Sequence, residues 1–245
     1  MGKTVLVTGG SGEIGSAICK KFAANGFDVI ITYNSNSERA ERLIQALSPG
    51  NHMAIKAPTT DADAILELKK VVQKQYGCLD VLVNNAGITT PVDHKDLEGL
   101  TDAWIDKIMQ TNFRGSFAMA RAFKDLLVNS DEQTAVIVNI SSIAGIFGIG
   151  SNVAYCASKA ALDSMTRSLA RALAPKIRVV SVSPGFVEGE YTANIDSKFL
   201  KEQRDKTPLG HFAMGNDVAK AVFSVVTQLT FSTGNIITVD GGRLL

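Results

Sequence analysis

Tyr155 and Lys159 stand four residues apart in a stretch of helical periodicity, "AYCASKAALDSM", and Ser142 precedes Tyr155 by thirteen residues. Positions i and i+4 of a helix share a face, so the phenol and the ammonium project from the same side, one turn apart. A phenol with an ordinary pKa near 10 is a poor proton partner for a carbonyl at neutral pH unless a nearby cation stabilises the phenolate. Lys159 is that cation. Ser142 lies just beyond an apolar run, Val136–Ile140, and its hydroxyl can donate a hydrogen bond to the oxygen on which charge develops. The three residue types together describe proton transfer to and from a carbonyl or alcohol oxygen. Singly, each has an ordinary explanation as a surface pair or a turn residue; their joint spacing singles them out.

Residues 6–17, "LVTGGSGEIGSA", read as a strand, a glycine turn and a helix start. Gly10, Gly12 and Gly15 satisfy G-x-G-x-x-G, while Thr8, Gly9 and Gly15 also fit T-G-x-x-x-G-x-G with Glu13 where a glycine belongs. Such glycines let the backbone approach a pyrophosphate, whose charge meets the unpaired N–H groups and dipole of the following helix. Glu13 complicates this, because a carboxylate aimed at the phosphates would repel them. Glu13 is therefore expected to turn to solvent or to Lys20 or Lys21, with Gly12 supplying the close approach.

The elements that must position these groups are legible as alternating patterns. Runs rich in Val and Ile recur at Thr4–Val7, Val29–Thr32, Leu79–Val83, Val136–Ile140, Val179–Val182 and Ile236–Val239, with a weaker one near His52–Lys56. Between them lie stretches of helical periodicity at Ser37–Leu47, Ala62–Gln75 and Tyr155–Leu173. This predicts an α/β fold: a doubly wound parallel sheet, Rossmann-like, with helices on both faces, in a single domain over 1–245. Ligands of such sheets gather beyond the carboxyl ends of the strands. The glycine turn, "NNAG" (84–87), "ISS" (140–142) and "SPG" (183–185) all fall there.

Composition narrows the function classes. The 245 residues carry 25 basic and 24 acidic side chains, a balance with no electrostatic footprint for nucleic acid. Cys19, Cys78 and Cys156 are too scattered for a disulfide framework or a zinc site, which points to the reducing cytoplasm. His52, His94 and His211 are scattered too, so no metal is expected. No apolar run spans a bilayer, and the N-terminal run is too short for a signal peptide. Cys156 is expected to pack rather than react. Arg114, Arg121, Lys124, Arg167 and Arg171 could face an acidic carrier protein or simply be solvated helix faces.

With "TGGSGEIG", "NNAG", Ser142, Y-x-x-x-K and "SPG" in order, and "TVDGG" near the end, the chain resembles the short-chain dehydrogenase/reductase family over essentially its whole length. Within it, "DVLVNNAGIT", "VNISSIAG" and "ITVDGG" look most like the 3-oxoacyl-acyl-carrier-protein reductases. The resemblance implies a catalytic set of Asn112, Ser142, Tyr155 and Lys159, with Asn112 holding a water that links Lys159 to solvent and Lys159 also binding the nicotinamide ribose. It implies cofactor contacts from Gly9, Ser11, Gly12, Glu13 and Ile14, from Tyr33, Asn34 and Thr59, from Asn85, Ala86 and Gly87, and from Pro184, Gly185 and Val187. It also implies a homotetramer assembled through the helix near Val153–Leu173, its neighbour and the last strand.

Four positions depart from the family pattern, all on the cofactor side. Glu13 replaces a glycine, Tyr33 and Asn34 stand where an acid would bind the ribose of NAD, Pro58 replaces an Asp or Asn, and Gly189 replaces a threonine for which Thr192 could stand in. The missing acid favours NADP, with NAD possible, and Arg39 or Arg42 could meet its phosphate. The expected activity is hydride transfer between NADP(H) and a ketone or secondary alcohol, with a 3-oxoacyl thioester, possibly on acyl carrier protein, as first choice. A sugar, polyol or other small carbonyl substrate is the alternative within enzymes; a catalytically weak dinucleotide-binding protein is the alternative outside them. Ala144–Asn152 and a polar, mobile stretch Phe186–Arg204 are expected to bind substrate.

Overall fold

A computed structural model of the chain describes residues 2–132, 134–193 and 195–245. The Val- and Ile-rich runs, whose branched side chains suit a pleated surface, form β1 (Thr4–Val7), β2 (Asp28–Tyr33), β3 (Met53–Lys56), β4 (Val81–Asn84), β5 (Ala135–Ile140), β6 (Ile177–Pro184) and β7 (Ile236–Val239). They pair in the order β3-β2-β1-β4-β5-β6-β7. Every pairing is parallel, for example Leu6 against Ile30 and Val83 against Val138. The chain winds outward from β1 to β3, then returns to β4 beside β1. A crevice opens at that reversal, where neighbouring crossovers leave on opposite faces.

The two-residue period of the strands divides the core. Val5, Val7, Ile31, Val83 and Val138 face α1 (Glu13–Ala23) and α10 (Gly215–Thr227). Leu6, Ile30, Leu82 and Ile137 face the opposite way, towards α3 (Ala62–Tyr76), α5 (Ser116–Val128) and α7 (Val153–Leu173). Helix α2 (Ser37–Gln45) packs on β2 and the edge strand β3. The short helices α6 (Ala144–Phe147), α8 (Glu190–Ala193) and α9 (Ser197–Asp205) follow β5 and β6. The periodicity reading above does not mark the helices at 102–128 and 215–227. Helix α4 (Asp102–Met109) joins α5 through a π-helical segment, Gln110–Gly115, a widening of the helix that often lies at functional sites.

A buried polar seam crosses the carboxyl ends of the central strands. Asn84 Nδ2 donates to Asn139 Oδ1 at 2.8 Å, Asn139 Nδ2 donates to Thr166 Oγ1 at 2.8 Å, and Thr166 Oγ1 meets Ser181 Oγ at 2.8 Å. These bonds tie β4, β5, β6 and α7 in one register. Thr8, just after β1, fixes the next loop: its Oγ1 accepts from the backbone N–H of Asn85 at 2.9 Å and of Ala86 at 3.0 Å. Thr8→Val preserves the shape but removes the acceptor of the half-buried Ala86 N–H. The expected loss is about 1–3 kcal/mol of unfolding free energy, measured by urea denaturation.

Candidate active site

Two adjoining cavities of 560 and 510 Å³ occupy the crevice at the strands' carboxyl ends. Ser142, Tyr155 and Lys159 line the first, together with Pro184, Gly185 and Val187. Gly9, Gly12, Tyr33, Asn34, Thr59 and Ala86 line the second. Glu13, Ile14, Asn85, Gly87 and Ile88 border both, so the two form one bent groove. Ser11 lines neither, and is the one cofactor candidate the fold leaves outside.

Lys159 is 4% exposed and donates from Nζ to the Ile140 carbonyl at 2.8 Å. Its ammonium lies 5.7 Å from the centre of the Tyr155 ring, as the one-turn spacing on α7 requires. Burial pushes Lys159 down to about 8, against a partial restoring pull from Asp163. It therefore remains mostly protonated at pH 7, a cation held beside a phenol in a poorly solvated place. Ser142 is half-buried and its Oγ accepts from the Ala144 N–H at 3.1 Å, which leaves the hydroxyl proton for an oxygen in the cavity. The start of α7 is anchored by Asn152, whose Oδ1 accepts from the Tyr155 N–H at 2.7 Å and whose Nδ2 donates to the Thr90 carbonyl at 2.7 Å. Asn152, expected from the sequence only as the end of a substrate-binding stretch, is the N-cap of α7, and an Asn directly before a helical run is an N-cap signal.

Asn112 lies in the π-helical segment, 1% exposed, and lines neither cavity. Its Oδ1 accepts from the Ile88 N–H at 2.8 Å, and its Nδ2 donates to the Ile88 carbonyl and to Ser158 Oγ, each at 3.0 Å. The amide thus grips the loop after β4 and joins it to α7. A Cβ on Gly87 would stand 3.4 Å from Asn112 Oδ1 and 3.6 Å from Lys159 Nζ, so the two side chains flank the same glycine.

The glycine turn is shaped as a phosphate cradle. Gly9 takes φ of +59°, and a Cβ on Gly15 would fall 2.6 Å from the Gly9 carbonyl oxygen and 2.8 Å from Asn85 Nδ2. Gly12 caps α1 without a side-chain bond, so the first N–H groups of the helix stay available to an anion. These features fit a dinucleotide. Glu13 is exposed but does not turn clear of the crevice or pair with Lys20 or Lys21: it borders both cavities, and its Cγ would stand 2.8 Å from a Cβ on Gly189. The missing Cβ of Gly189 makes room for the Glu13 side chain, so two of the departures from the family pattern are one steric accommodation. Thr192 does come to Gly189, but its hydroxyl both accepts from the Gly189 N–H and donates to the Gly189 carbonyl at 3.0 Å. It is thereby turned back on its own loop.

Neither arginine proposed for a cofactor phosphate lines the second cavity. Arg39 Nη1 is 2.7 Å from Glu190 Oε1, and Arg42 faces Glu38 at 3.9 Å. The cation lining that cavity is Lys107 of α4, which no sequence motif marks. On the substrate side, the stretch 186–204, of which residue 194 lies outside the described residues, is less polar than its composition suggests. It turns Phe186, Ile195 and Phe199 to the first cavity, opposite Phe147 and Ile149. Arg243, near the C-terminus, also reaches that cavity and bonds to Gln203 Oε1 at 2.5 Å. Cys156 is buried, with its thiol pushed up by desolvation, consistent with packing. The five basic residues Arg114, Arg121, Lys124, Arg167 and Arg171 are exposed.

A family model described as enoyl-(acyl carrier protein) reductase matches residues 10–243. The chain is 34% identical over 250 residues to a 3-oxoacyl-acyl-carrier-protein reductase of Staphylococcus aureus, covering 100% of this chain and 99% of that one. It is 33% identical over 248 residues to the corresponding Thermotoga maritima reductase, covering 100% and 98%. Among solved structures, a Brucella melitensis short-chain dehydrogenase/reductase titled as glucose/ribitol dehydrogenase superposes with a TM-score of 0.91 at 30% identity. The match covers 99% of this chain and 97% of that one.

Gly15→Ala is expected to cost about 1–3 kcal/mol through overpacking and to abolish dinucleotide binding, read by thermal denaturation and by cofactor fluorescence. Lys159 gives a pH signature. Its ordinary value is 10.5 and its folded value about 8, so between those pH values the unfolded chain holds more protons and stability rises with pH. Below pH 8 the full cost of burying the charge is present. The melting temperature of the wild type relative to Lys159→Met should therefore rise as the pH climbs from 8 towards 10.

Proposed function

The chain belongs to the short-chain dehydrogenase/reductase family of oxidoreductases, and on that premise we propose that it reduces a 3-oxoacyl thioester, with NADPH as hydride donor. The observation that carries this reading is the convergence of Ser142, Tyr155 and Lys159 at one end of an apolar cleft continuous with the glycine-turn groove. Bound in that groove, a nicotinamide dinucleotide supplies the hydride that a carbonyl carbon accepts.

The chain's own residues handle the oxygen. Ser142 donates a hydrogen bond to the carbonyl and holds it towards Tyr155. Tyr155 gives its phenolic proton to the alkoxide as the C–H bond forms. Lys159 stabilises the resulting phenolate by its charge, which lets a phenol act near neutral pH. Asn112 fixes the Ile88 loop beside Lys159 and, in this reading, keeps a path for the proton that restores Tyr155. Phe147, Phe186 and Phe199 give an acyl chain an apolar wall.

The full-length likeness to 3-oxoacyl-acyl-carrier-protein reductases supports the acyl substrate. NADP is preferred because Tyr33 and Asn34, at the end of β2, present no carboxylate to ribose hydroxyls. We place the reaction in the cytoplasm. None of the described helices is long and apolar enough to cross a membrane. The assembly we infer is a homotetramer joined through α7, whose outer face presents Ala157 and Ala160. The likeness to the protein titled glucose/ribitol dehydrogenase keeps a polyol or sugar as a second reading.

NADPH fluorescence should show saturable binding, and acetoacetyl thioesters should be consumed with NADPH oxidation. Tyr155→Phe should lower kcat by about 10²- to 10⁴-fold while leaving the NADPH Kd unchanged. Full activity in that variant would remove Tyr155 from the chemistry, and saturable NADPH binding without thioester turnover would leave the polyol reading.

A further inference from the structure

One ionisable group beside the site has no part in the steps above. Asp163 lies on α7 one turn beyond Lys159, which lies one turn beyond Tyr155, so phenol, ammonium and carboxyl form a single helical stripe. Asp163 is 3% exposed, and neither of its oxygens has a hydrogen-bond partner of good geometry. A buried carboxyl without donors is costly and is seldom kept where packing alone is needed. The carboxyl faces the hydroxyls of Ser141, just after β5, and Ser181 on β6. Each is already engaged, Ser141 Oγ with the Lys159 carbonyl at 3.2 Å and Ser181 Oγ with Thr166 Oγ1 at 2.8 Å.

We propose that Asp163 is a positioning residue for the reaction: its buried carboxylate keeps the Lys159 ammonium charged, and so keeps Tyr155 competent, as the pH rises. Two charges one turn apart inside the protein interact far more strongly than on its surface, because little water screens them. Burial drives the Asp163 carboxyl up, while Ser141, Ser181, Arg167 and Lys159 draw it back. The same carboxylate raises Lys159 against its own desolvation.

No other charge on the neighbouring elements takes this place. β5 and α6 contain no ionisable side chain. Arg178, the ionisable residue of β6, bonds to carbonyls at the end of α10, among them Val225 at 3.1 Å. Arg114 of the π-helical segment reaches the Thr60 carbonyl at 3.4 Å, and Asp102, Asp106 and Lys107 of α4 are exposed. On α7 itself, Arg167 continues the stripe from its exposed side.

The inference rests on the reductase reading only for its consequence in catalysis, so the test reads Lys159 directly. The full chain, with ¹³C-labelled lysines, is titrated by NMR, Lys159 being identified by the signal lost in Lys159→Arg. Asp163→Asn should lower the Lys159 midpoint by roughly one unit, a ten-fold loss of proton affinity. Asp163→Glu should restore it, and the alkaline limb of kcat for reduction should move with the midpoint. If Asp163→Asn does not fold, Asp163→Ser removes the same charge with a smaller side chain. An unmoved midpoint in either folded neutral variant would overturn the proposal and leave Asp163 a packing residue. A chain that oxidises no NADPH with 3-oxoacyl thioesters defeats the substrate reading, yet the lysine titration still decides the role of Asp163.

Discussion

A lysine ammonium held almost out of water, 2.8 Å from the last carbonyl of a central strand, sets the terms for the rest of the site. Burying a cation is unfavourable unless its neighbours supply what water would have supplied. The Ile140 carbonyl, the face of the Tyr155 ring and the Asp163 carboxyl each take part of that task. Because Ile140 ends β5 while Tyr155 and Asp163 ride on α7, the helix must sit on the sheet in one register for all three to meet. The buried bonds from Asn139 through Thr166 to Ser181 hold it there.

The same logic extends to the loops. A parallel sheet leaves each strand end to be followed by a connection with its own unpaired N–H and C=O groups. Here those groups are bonded to side chains from other crossovers: Thr8 and Asn85 join the first loop to the loop after β4, Asn112 grips Ile88, and Asn152 grips Thr90. The π-helical segment that carries Asn112 breaks the regular helix and so turns its amide inward. Rigid loops of this kind keep phenol, hydroxyl and ammonium in place before any ligand arrives, which lowers the cost of ordering them on binding.

Beside the glycine turn the groove is closed by a contact between charged loops. An anionic side chain at the start of α1 leans against a glycine of the loop after β6. The adjacent Glu190 of that loop is paired across to Arg39 of α2. The loop after β6 thus lies across the glycine turn and joins the two halves of the crevice. Its aromatic residues line the first cavity, and Glu190, which borders the same cavity, carries the ion pair to Arg39, so one segment forms an apolar wall and a polar tie together.

The alternation of apolar runs and helical periods was sufficient to read the parallel sheet and its seven strands to within two residues, because buried strands need continuous apolar side chains whatever surrounds them. The catalytic candidates were equally legible, since a one-turn spacing on a helix is a local property. Local patterns could not say where Glu13 would point, that Arg39 would be taken by Glu190, or that Lys107, Gln203 and Arg243 would reach the crevice. Nor could they show that Asp163 lies buried under Lys159. Those outcomes depend on residues far apart in the chain being brought within a few ångströms, and a side chain's direction and charge are set by the neighbours it meets there.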